Sequence, residues 1–336
     1  MSEPVLVTGG SGVVGRALIA RLVADGREVR ALARSNASAH TVASDGAMVV
    51  RGDVLDPVSL REALEGCATV FHVAGINAMC LHDPRPMIRT NVEGAVNVVR
   101  SAAEAGVERI VYTSSASAVG EAEGTLGRED SPHRGWYLSE YERSKYLAER
   151  RVFDVADELG VPVVAVNPAS VQGPGRATGS ARLLLDVVNG RLPVLVETPI
   201  SLVDIADCSE GHVLAEARGA PGERYLLSGA TLSTREAVEL LKQVWGLRRE
   251  VRFGPAWLAR AGGAVLGTGA RLVRRDAPVC SEAVRTLLHG HRYDGSKATR
   301  DLGLRYTPID VTLLRTLEWC AAQGLVRPGR GQRART

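Results

Sequence analysis

Tyr141 and Lys145 stand four residues apart in Tyr141-Glu142-Arg143-Ser144-Lys145, inside a run that reads as the start of a helix. On a helix this spacing puts both side chains on one face, one turn apart. A phenol ordinarily titrates near about 10, and a neighbouring ammonium stabilises the phenolate and lowers that value. Such a phenol can protonate an oxygen on which negative charge develops, or deprotonate it in reverse. Ser115, in Ser114-Ser115-Ala116 at the end of an apolar run, offers a hydroxyl to hold that oxygen. Ser114 competes with Ser115 for this part. Tyr137 competes with Tyr141, but the residue four places beyond it is Tyr141 rather than a lysine. Tyr and Lys at this spacing occur in unrelated helices, so their meaning depends on what the chain places around them.

The elements ahead of them supply that context. Pro4-Val5-Leu6-Val7 is a short apolar run of the kind a buried parallel strand shows. Thr8-Gly9-Gly10-Ser11-Gly12-Val13-Val14-Gly15 follows and opens a helical run. Gly9 suits a tight turn, Gly12 leaves backbone bare for a pyrophosphate, and Gly15 lets helix and strand pack closely. The backbone of Val13 and Val14 then lies at a helix N-terminus, whose free N–H groups and positive dipole end attract phosphate. The spacing is GxxGxxG rather than GxGxxG, but it sits between a strand and a helix, as dinucleotide binding requires.

A second strand, Glu28-Val29-Arg30-Ala31-Leu32-Ala33, ends without the carboxylate that would accept from ribose hydroxyls. Arg34 follows instead, and a guanidinium pairs well with a 2′-phosphate. The expectation is NADP(H), with NAD(H) as the alternative. A third strand ends in Gly52-Asp53-Val54, where Asp53 can accept from the adenine amine and Val54 can pack on the ring. The fourth, Thr69-Val70-Phe71-His72-Val73-Ala74-Gly75, brings Val73, Ala74 and Gly75 up to the cofactor, with His72 read as a packed core residue. Residues 86–106 carry helical periodicity with Asn91 inside, either a surface residue or a tie to backbone at the site. Glu108-Arg109-Ile110-Val111-Tyr112-Thr113 is a fifth strand and delivers Ser115. Strands and helices alternating at these lengths predict an α/β fold, a doubly wound parallel sheet with functional loops at the strand carboxyl ends.

Taken together, TGGSGVVG, GDV, FHVAG, TNVEG, YTSSASAVG, YERSK and VNPASVQGPG resemble the extended branch of the short-chain dehydrogenase/reductase superfamily over most of the chain. The finer resemblance is to the dihydroflavonol-4-reductase-like and NAD-dependent epimerase/dehydratase group, through VRALAR and the VNP…GPG segment. Bacterial sugar epimerases of hopanoid gene clusters are equally similar in the second half. The resemblance implies a Rossmann-type sheet with a smaller C-terminal substrate lobe. It makes Ser115, Tyr141 and Lys145 a catalytic triad, with Asn91 as a supporting fourth residue and Arg34 on the 2′-phosphate. It lays the backbone of Asn167 and Pro168 against the nicotinamide and gives Lys145 a second part on the nicotinamide ribose. A homodimer is the family expectation.

In the second half, Val161–Asn167 reads as a sixth strand. A capping box, Ser233-Thr234-Arg235-Glu236, opens a helix to Trp245, and the last helix covers 309–323. The expected division is a nucleotide domain of residues 1–171 with 201–227 returning to it. A substrate lobe would take 172–200 and 228–326, and 327–336 would form a solvated, disordered tail. Ser117, Trp136, Tyr137 and Leu183 are the candidate substrate contacts. The leading expectation is an NADPH-dependent ketoreductase or aldehyde reductase acting on a hydrophobic small molecule. The alternatives are a nucleotide-sugar epimerase or dehydratase, a hydroxysteroid-type alcohol dehydrogenase, and a non-catalytic NADP(H) sensor.

Bulk properties agree. The chain has 336 residues, 45% apolar and 24% charged, with a formal net charge of +3. That charge is too small to indicate a nucleic-acid or membrane partner, and 4% aromatic residues give little base-stacking surface. No apolar run reaches the roughly 20 residues of a membrane span. The seven histidines show no metal-ligand spacing, so no metal is expected. Five scattered cysteines without CxxC read as reduced thiols of a cytoplasmic protein.

Overall fold

The computed structural model describes residues 3–192, 194–277 and 279–326, so the expectation for the tail 327–336 lies outside the described residues. The chain begins with β1 (Val5–Thr8), α1 (Val13–Ala24), β2 (Val29–Ala33), α2 (Asn36–Ser44), β3 (Met48–Arg51) and α3 (Pro57–Leu64). It continues through β4 (Thr69–His72), α4 (Arg85–Glu104), β5 (Arg109–Thr113), α5 (Glu140–Leu159), β6 (Val163–Pro168) and β7 (Ser170–Gln172). Then come α6 (Ser180–Val188), β8 (Val194–Leu195), β9 (Pro199–Asp204), α7 (Ile205–Arg218), β10 (Arg224–Leu227) and β11 (Ala230–Ser233). The last elements are α8 (Thr234–Trp245), β12 (Arg252–Phe253), α9 (Ala256–Leu272), α10 (Ser281–His289) and α11 (Ile309–Ala322).

Seven strands form one parallel sheet in the order β10-β6-β5-β4-β1-β2-β3. Its strands are continuous apolar runs because helices cover both faces. On one face α1, α2 and α7 bury Leu18, Ile19, Val42 and Ala215 against Val5, Phe71 and Val111. On the other, α3, α4 and α5 bury Leu60, Val98, Val99 and Val152 against Leu6, Val70 and Ile110. Each fully buried Leu or Val stabilises the fold by about 1.5–3 kcal/mol, so these two apolar layers fix the sheet on which everything else is mounted. This is a Rossmann-type doubly wound arrangement. The strand order reverses at β1, and the crevice beyond the carboxyl ends of β1 and β4 is where such sheets bind ligands.

Two long helices carry the chemistry-bearing residues toward that crevice. Ser139 caps α5 by accepting from the Glu142 N–H at 3.2 Å, Glu140 and Glu142 occupy its positive first turn, and Gly160 ends it with φ 68°. The cap fixes the register of the first two turns, and therefore where Tyr141 and Lys145 point. Helix α4 packs along α5.

Beyond β6 the chain leaves and re-enters the sheet. β10 adds to its edge beside β6, and α7 packs on α1. β9, by contrast, pairs with β7 and β11 in a separate three-stranded sheet. A third apolar cluster, with Leu185, Leu241, Trp245 and Leu317, joins α6, α8 and α11. Ser233 and Glu236 form the expected capping box at the start of α8. Helix α2 has no sequence reading because its residues Asn36-Ala37-Ser38-Ala39-His40 are mostly poor helix formers. It exists through a capping box between Ser35 and Ser38.

The cysteine expectation is corrected. Cys80 and Cys280 form a disulfide across 200 residues of chain, while Cys67, Cys208 and Cys320 are buried free thiols. No local spacing signals the bond, because it depends on the loop after β4 meeting the segment that enters α10. The Ala277 N–H donates to the Cys80 carbonyl at 3.0 Å, and the His82 N–H to Asp276 at 2.7 Å, so backbone contacts hold the same junction. Among the described residues no helix is long and apolar enough to cross a membrane.

Candidate active site

A cleft of about 850 Å³ runs from the glycine turn, across the carboxyl ends of β1, β4, β5 and β6, to α6 and α10. The glycine turn forms its floor. Gly9 has φ +70°, and a Cβ there would lie 2.5 Å from the Ala74 nitrogen, so only glycine lets this turn touch the end of β4. A Cβ on Gly15 would lie 2.3 Å from the Gly9 carbonyl oxygen, which explains the close seat of α1. Gly12 is the N-cap of α1 and makes no side-chain cap. The first N–H groups of α1, around Val13 and Val14, therefore remain as anion donors at the cleft wall. Thr8 lies beneath rather than in the cleft. Its hydroxyl accepts from the Ala74 N–H at 3.3 Å and is 2.7 Å from His72 Nδ1, tying β1 to β4.

At the far end of this floor Arg34 is exposed at the end of β2 and lines the cleft with Ser38 of α2. The Asp53 carboxylate accepts from the Leu55 N–H at 2.9 Å and so faces the cleft in a fixed orientation beside Val54. Val73, Ala74 and Gly75 line the side formed by the end of β4. His72 is buried behind them, stacked on Tyr112, and burial together with the Lys145 charge pulls its pKa down to about 3. It is a neutral core residue, as read from the sequence.

Ser115, Tyr141 and Lys145 all reach the cleft from β5 and α5. The Ser115 oxygen accepts from the Ser117 N–H at 3.3 Å and from the Ser117 hydroxyl at 2.9 Å. With its acceptor side occupied, the Ser115 proton is free to donate into the cleft. Burial raises the Tyr141 phenol above its usual value, against opposing contributions from the Ser115 hydroxyl and the Arg176 guanidinium. The sequence reading gave that lowering role to Lys145, and here the structure differs. The Lys145 side chain runs under the strand ends, where its ammonium donates to the Thr113 carbonyl at 2.9 Å and lies 5.3 Å from the Tyr112 ring centroid. Burial pulls Lys145 down to about 8, opposed by Glu149. A shared helix face sets the direction of the two side chains but not where the lysine's four-carbon stem ends.

Several expected site residues act from behind the wall. Asn91 is buried; it accepts from the Ile76 N–H at 2.7 Å and donates to the Ile76 carbonyl at 3.0 Å and the Ser144 hydroxyl at 2.9 Å. It pins the loop after β4 to α5. Asn167 is buried and donates to the Ser115 carbonyl at 3.1 Å, whereas its neighbour Pro168 lines the cleft. Ser117 and Leu183 also line it. Trp136 and Tyr137 do not, which corrects their assignment as substrate contacts. Gly135, just before them, has φ +87°. Trp136 is 52% exposed beneath the Arg134 guanidinium, and Tyr137 joins a ring cluster with His133 and Tyr146.

The opposite wall was not legible in the sequence. Ala283, Thr286 and Leu287 of α10 close one side, and Arg176, Ser180 and Ile200 another. Spacing by three and four in α10 marks a buried face, but nothing local says which surface it covers. His291 and Tyr293, also in the wall, belong to a buried network: Glu121 accepts from His291 Nδ1 at 2.6 Å and lies 3.4 Å from His289 Nε2. Burial pushes the Glu121 carboxyl up, but hydrogen bonds from His289 and His291 outweigh it and bring it down to about 2.

Comparison with known proteins places the chain among NAD(P)-dependent oxidoreductases acting on carbonyl or hydroxyl groups. Residues 5–227 match the model of the NAD dependent epimerase/dehydratase family. A Stigmatella aurantiaca 4-hydroxy-2-methyl-3-oxo-4-farnesyl-3,4-dihydroquinoline-1-oxide ketoreductase is 32% identical, covering 88% of this chain and 90% of its own. A Shewanella oneidensis 2-alkyl-3-oxoalkanoate reductase is 30% identical, covering 88% of this chain and 81% of its own. The crystal structure of gox2253 superposes with a TM-score of 0.85 at 30% identity, over 97% of this chain and 100% of that one.

Proposed function

We propose that this chain, which belongs to the NAD dependent epimerase/dehydratase family, is an NADPH-dependent reductase of a ketone or aldehyde on a hydrophobic small molecule. Membership and the reductases among its relatives make it an NAD(P)-dependent enzyme acting on carbonyl or hydroxyl groups. The observation that carries the finer reading is the meeting of Ser115, Tyr141 and Lys145 in the same cleft as the glycine turn and Arg34.

When bound, the nicotinamide supplies the hydride, so that carbonyl, NADPH and a proton give alcohol and NADP⁺. Ser115 donates its free proton as a hydrogen bond to the carbonyl oxygen and holds it as charge develops. The Tyr141 phenol, kept protonated at neutral pH by its raised pKa, gives that oxygen its proton. Lys145, whose ammonium lies close to Gly75, would hold the ribose hydroxyls. Asn91 and Asn167 are positioning residues, acting through Ile76 and the Ser115 backbone. Gly9, Gly12 and Gly15 seat the pyrophosphate, Asp53 and Val54 the adenine, and Arg34 the 2′-phosphate. In this division residues 1–171 with 201–227 serve the nucleotide, and 172–200 with 228–326 serve the substrate.

The Lys145 value has a consequence for pH. Its ammonium is charged below about 8 and neutral above, so a ribose contact that needs the charge weakens as pH rises. NADPH affinity is expected to fall from its value at pH 7 through pH 8–9. Fluorescence titration checks this, and Lys145→Met should abolish the pH dependence along with the contact.

A panel of aromatic and aliphatic ketones and aldehydes, followed by NADPH oxidation, tests the function itself. Turnover of at least one class is expected, with NADPH favoured over NADH. Conversion of a nucleotide sugar with NAD retained, and no carbonyl-dependent NADPH oxidation, would replace this reading with the epimerase one.

A further inference from the structure

Arg176 follows Gly173-Pro174-Gly175 in the connection between β7 and α6, where Gly173 at φ +145° and Gly175 at φ +89° turn the backbone toward the cleft. The residue is half-buried, and its buried Nε has no hydrogen-bond partner. The ionisable groups that act on it are the Tyr141 phenol and the Cys208 thiol, neither of them a carboxylate. A buried guanidinium ordinarily has an anion or several acceptors. This one instead lines the cleft beside the phenol we assign as proton donor, and its charge acts on that phenol.

The surroundings narrow the missing acceptor. Ser180, at the start of α6, is hydrogen-bonded to Ser170 at 2.6 Å and to Gln172 at 3.0 Å, a polar shelf beside Arg176. Leu183 and Ile200 are shared with a small, mostly apolar annex of about 80 Å³, also lined by Leu184, Val187, Leu195 and Leu202, with Gln172, Ser180 and Thr234 as its polar members. A molecule reaching from Tyr141 toward this annex passes a cation first and then a mostly apolar lining.

Building on the reductase reading, we propose that Arg176 seats a carboxylate carried by the substrate itself, so that the substrate is an oxo acid with an apolar tail. The carboxylate and the reacting carbonyl are carried close together on the substrate, because Arg176 and Tyr141 line the same cleft. The planar fork of Arg176 takes both carboxylate oxygens. That orients the carbonyl toward Ser115 and Tyr141 while the tail enters the annex. Phosphate oxygens of the cofactor present the same chemistry to a guanidinium. The glycine turn, the N-terminus of α1 and Arg34 already serve them at the other end of the cleft, and the experiment separates the two sources.

The test uses wild type, Arg176→Gln and Arg176→Lys, with thermal melts to confirm equal folding. Kinetics are measured on a 3-oxo acid and its methyl ester, and NADPH affinity is titrated in parallel. Octanoate and octanamide binding to the NADP⁺-loaded protein is followed by calorimetry. Arg176→Gln should raise KM for the acid about 10- to 100-fold and KM for the ester by less than about threefold, while any change in kcat that comes through the Tyr141 phenol is shared by acid and ester. It should leave NADPH affinity within about twofold and abolish octanoate binding, with Arg176→Lys recovering part of the loss. An equal rise in KM for acid and ester, or a matching loss of NADPH affinity, overturns the inference. Reduction of neutral ketones with octanoate binding untouched by Arg176→Gln also overturns it and leaves the reductase reading standing. Arg176-dependent octanoate binding without any carbonyl reduction supports the anion site and sinks the reductase reading alone.

Discussion

Replacing Tyr141 by phenylalanine is expected to lower kcat for carbonyl reduction by about 10²–10⁴-fold, the usual worth of a positioned general acid, while NADPH affinity stays within about twofold. The change removes one oxygen and keeps the ring, so packing at the start of α5 survives. The Ser139 cap, which does not involve the phenol, still sets the helix register. Ser115 retains its hydroxyl and its contacts to Ser117, so the carbonyl still has a hydrogen-bond donor but lacks a proton source. A variant that loses the interaction only in the transition state lowers kcat and kcat/KM together. Steady-state kinetics beside a cofactor titration read both quantities. A variant with unchanged kcat would remove Tyr141 from the mechanism and reopen the place of Tyr137. The structure sets Tyr137 outside the cleft, among His133 and Tyr146.

Arg34→Glu is expected to lower the ratio of kcat/KM for NADPH over that for NADH by about 10²-fold or more. The loss of charge-assisted hydrogen bonds to a 2′-phosphate accounts for roughly the first tenfold. A carboxylate at the same place repels the phosphate and accepts from the free ribose hydroxyls of NADH, which moves the ratio further. The site is favourable for phosphate because α2 begins at once after Arg34, with Ser35 as its cap, and Ser38 lines the same corner of the cleft. An unchanged ratio would make Arg34 a solvated charge at a strand end. Paired measurements with the two cofactors at one substrate concentration series decide it.

These two outcomes rest on parts of the molecule that were legible before any coordinates. The strand, glycine turn and helix around residues 5–24 are local, since each glycine answers a need of its immediate neighbours. The doubly wound parallel sheet follows from the alternation of strand and helix, because parallel strands need crossovers and crossovers have one hand, but alternation alone does not choose the strand order. What escaped was non-local. The Lys145 ammonium is held by the Thr113 carbonyl at the strand tips, since the position of a flexible stem depends on the strands below it. Arg176 takes up the electrostatic part assigned to that lysine from a loop 31 places further along the chain. The Cys80–Cys280 bond and the α10 wall arise where distant segments meet over one cleft, and no spacing in the sequence encodes that meeting. Trp136 was placed in the pocket by nearness in sequence to Tyr141, which does not fix a side chain's direction.

The central claim is that a hydride leaves the cofactor and stays on the substrate carbon while Tyr141 supplies the proton. Reduction of a carbonyl substrate with NADPH deuterated on the transferred face of C4 tests it most directly. Deuterium on the carbinol carbon, at one equivalent per NADP⁺ formed and with a single stereochemistry, is the predicted result. Deuterium retained on the cofactor after turnover, with no net NADP⁺, would contradict it.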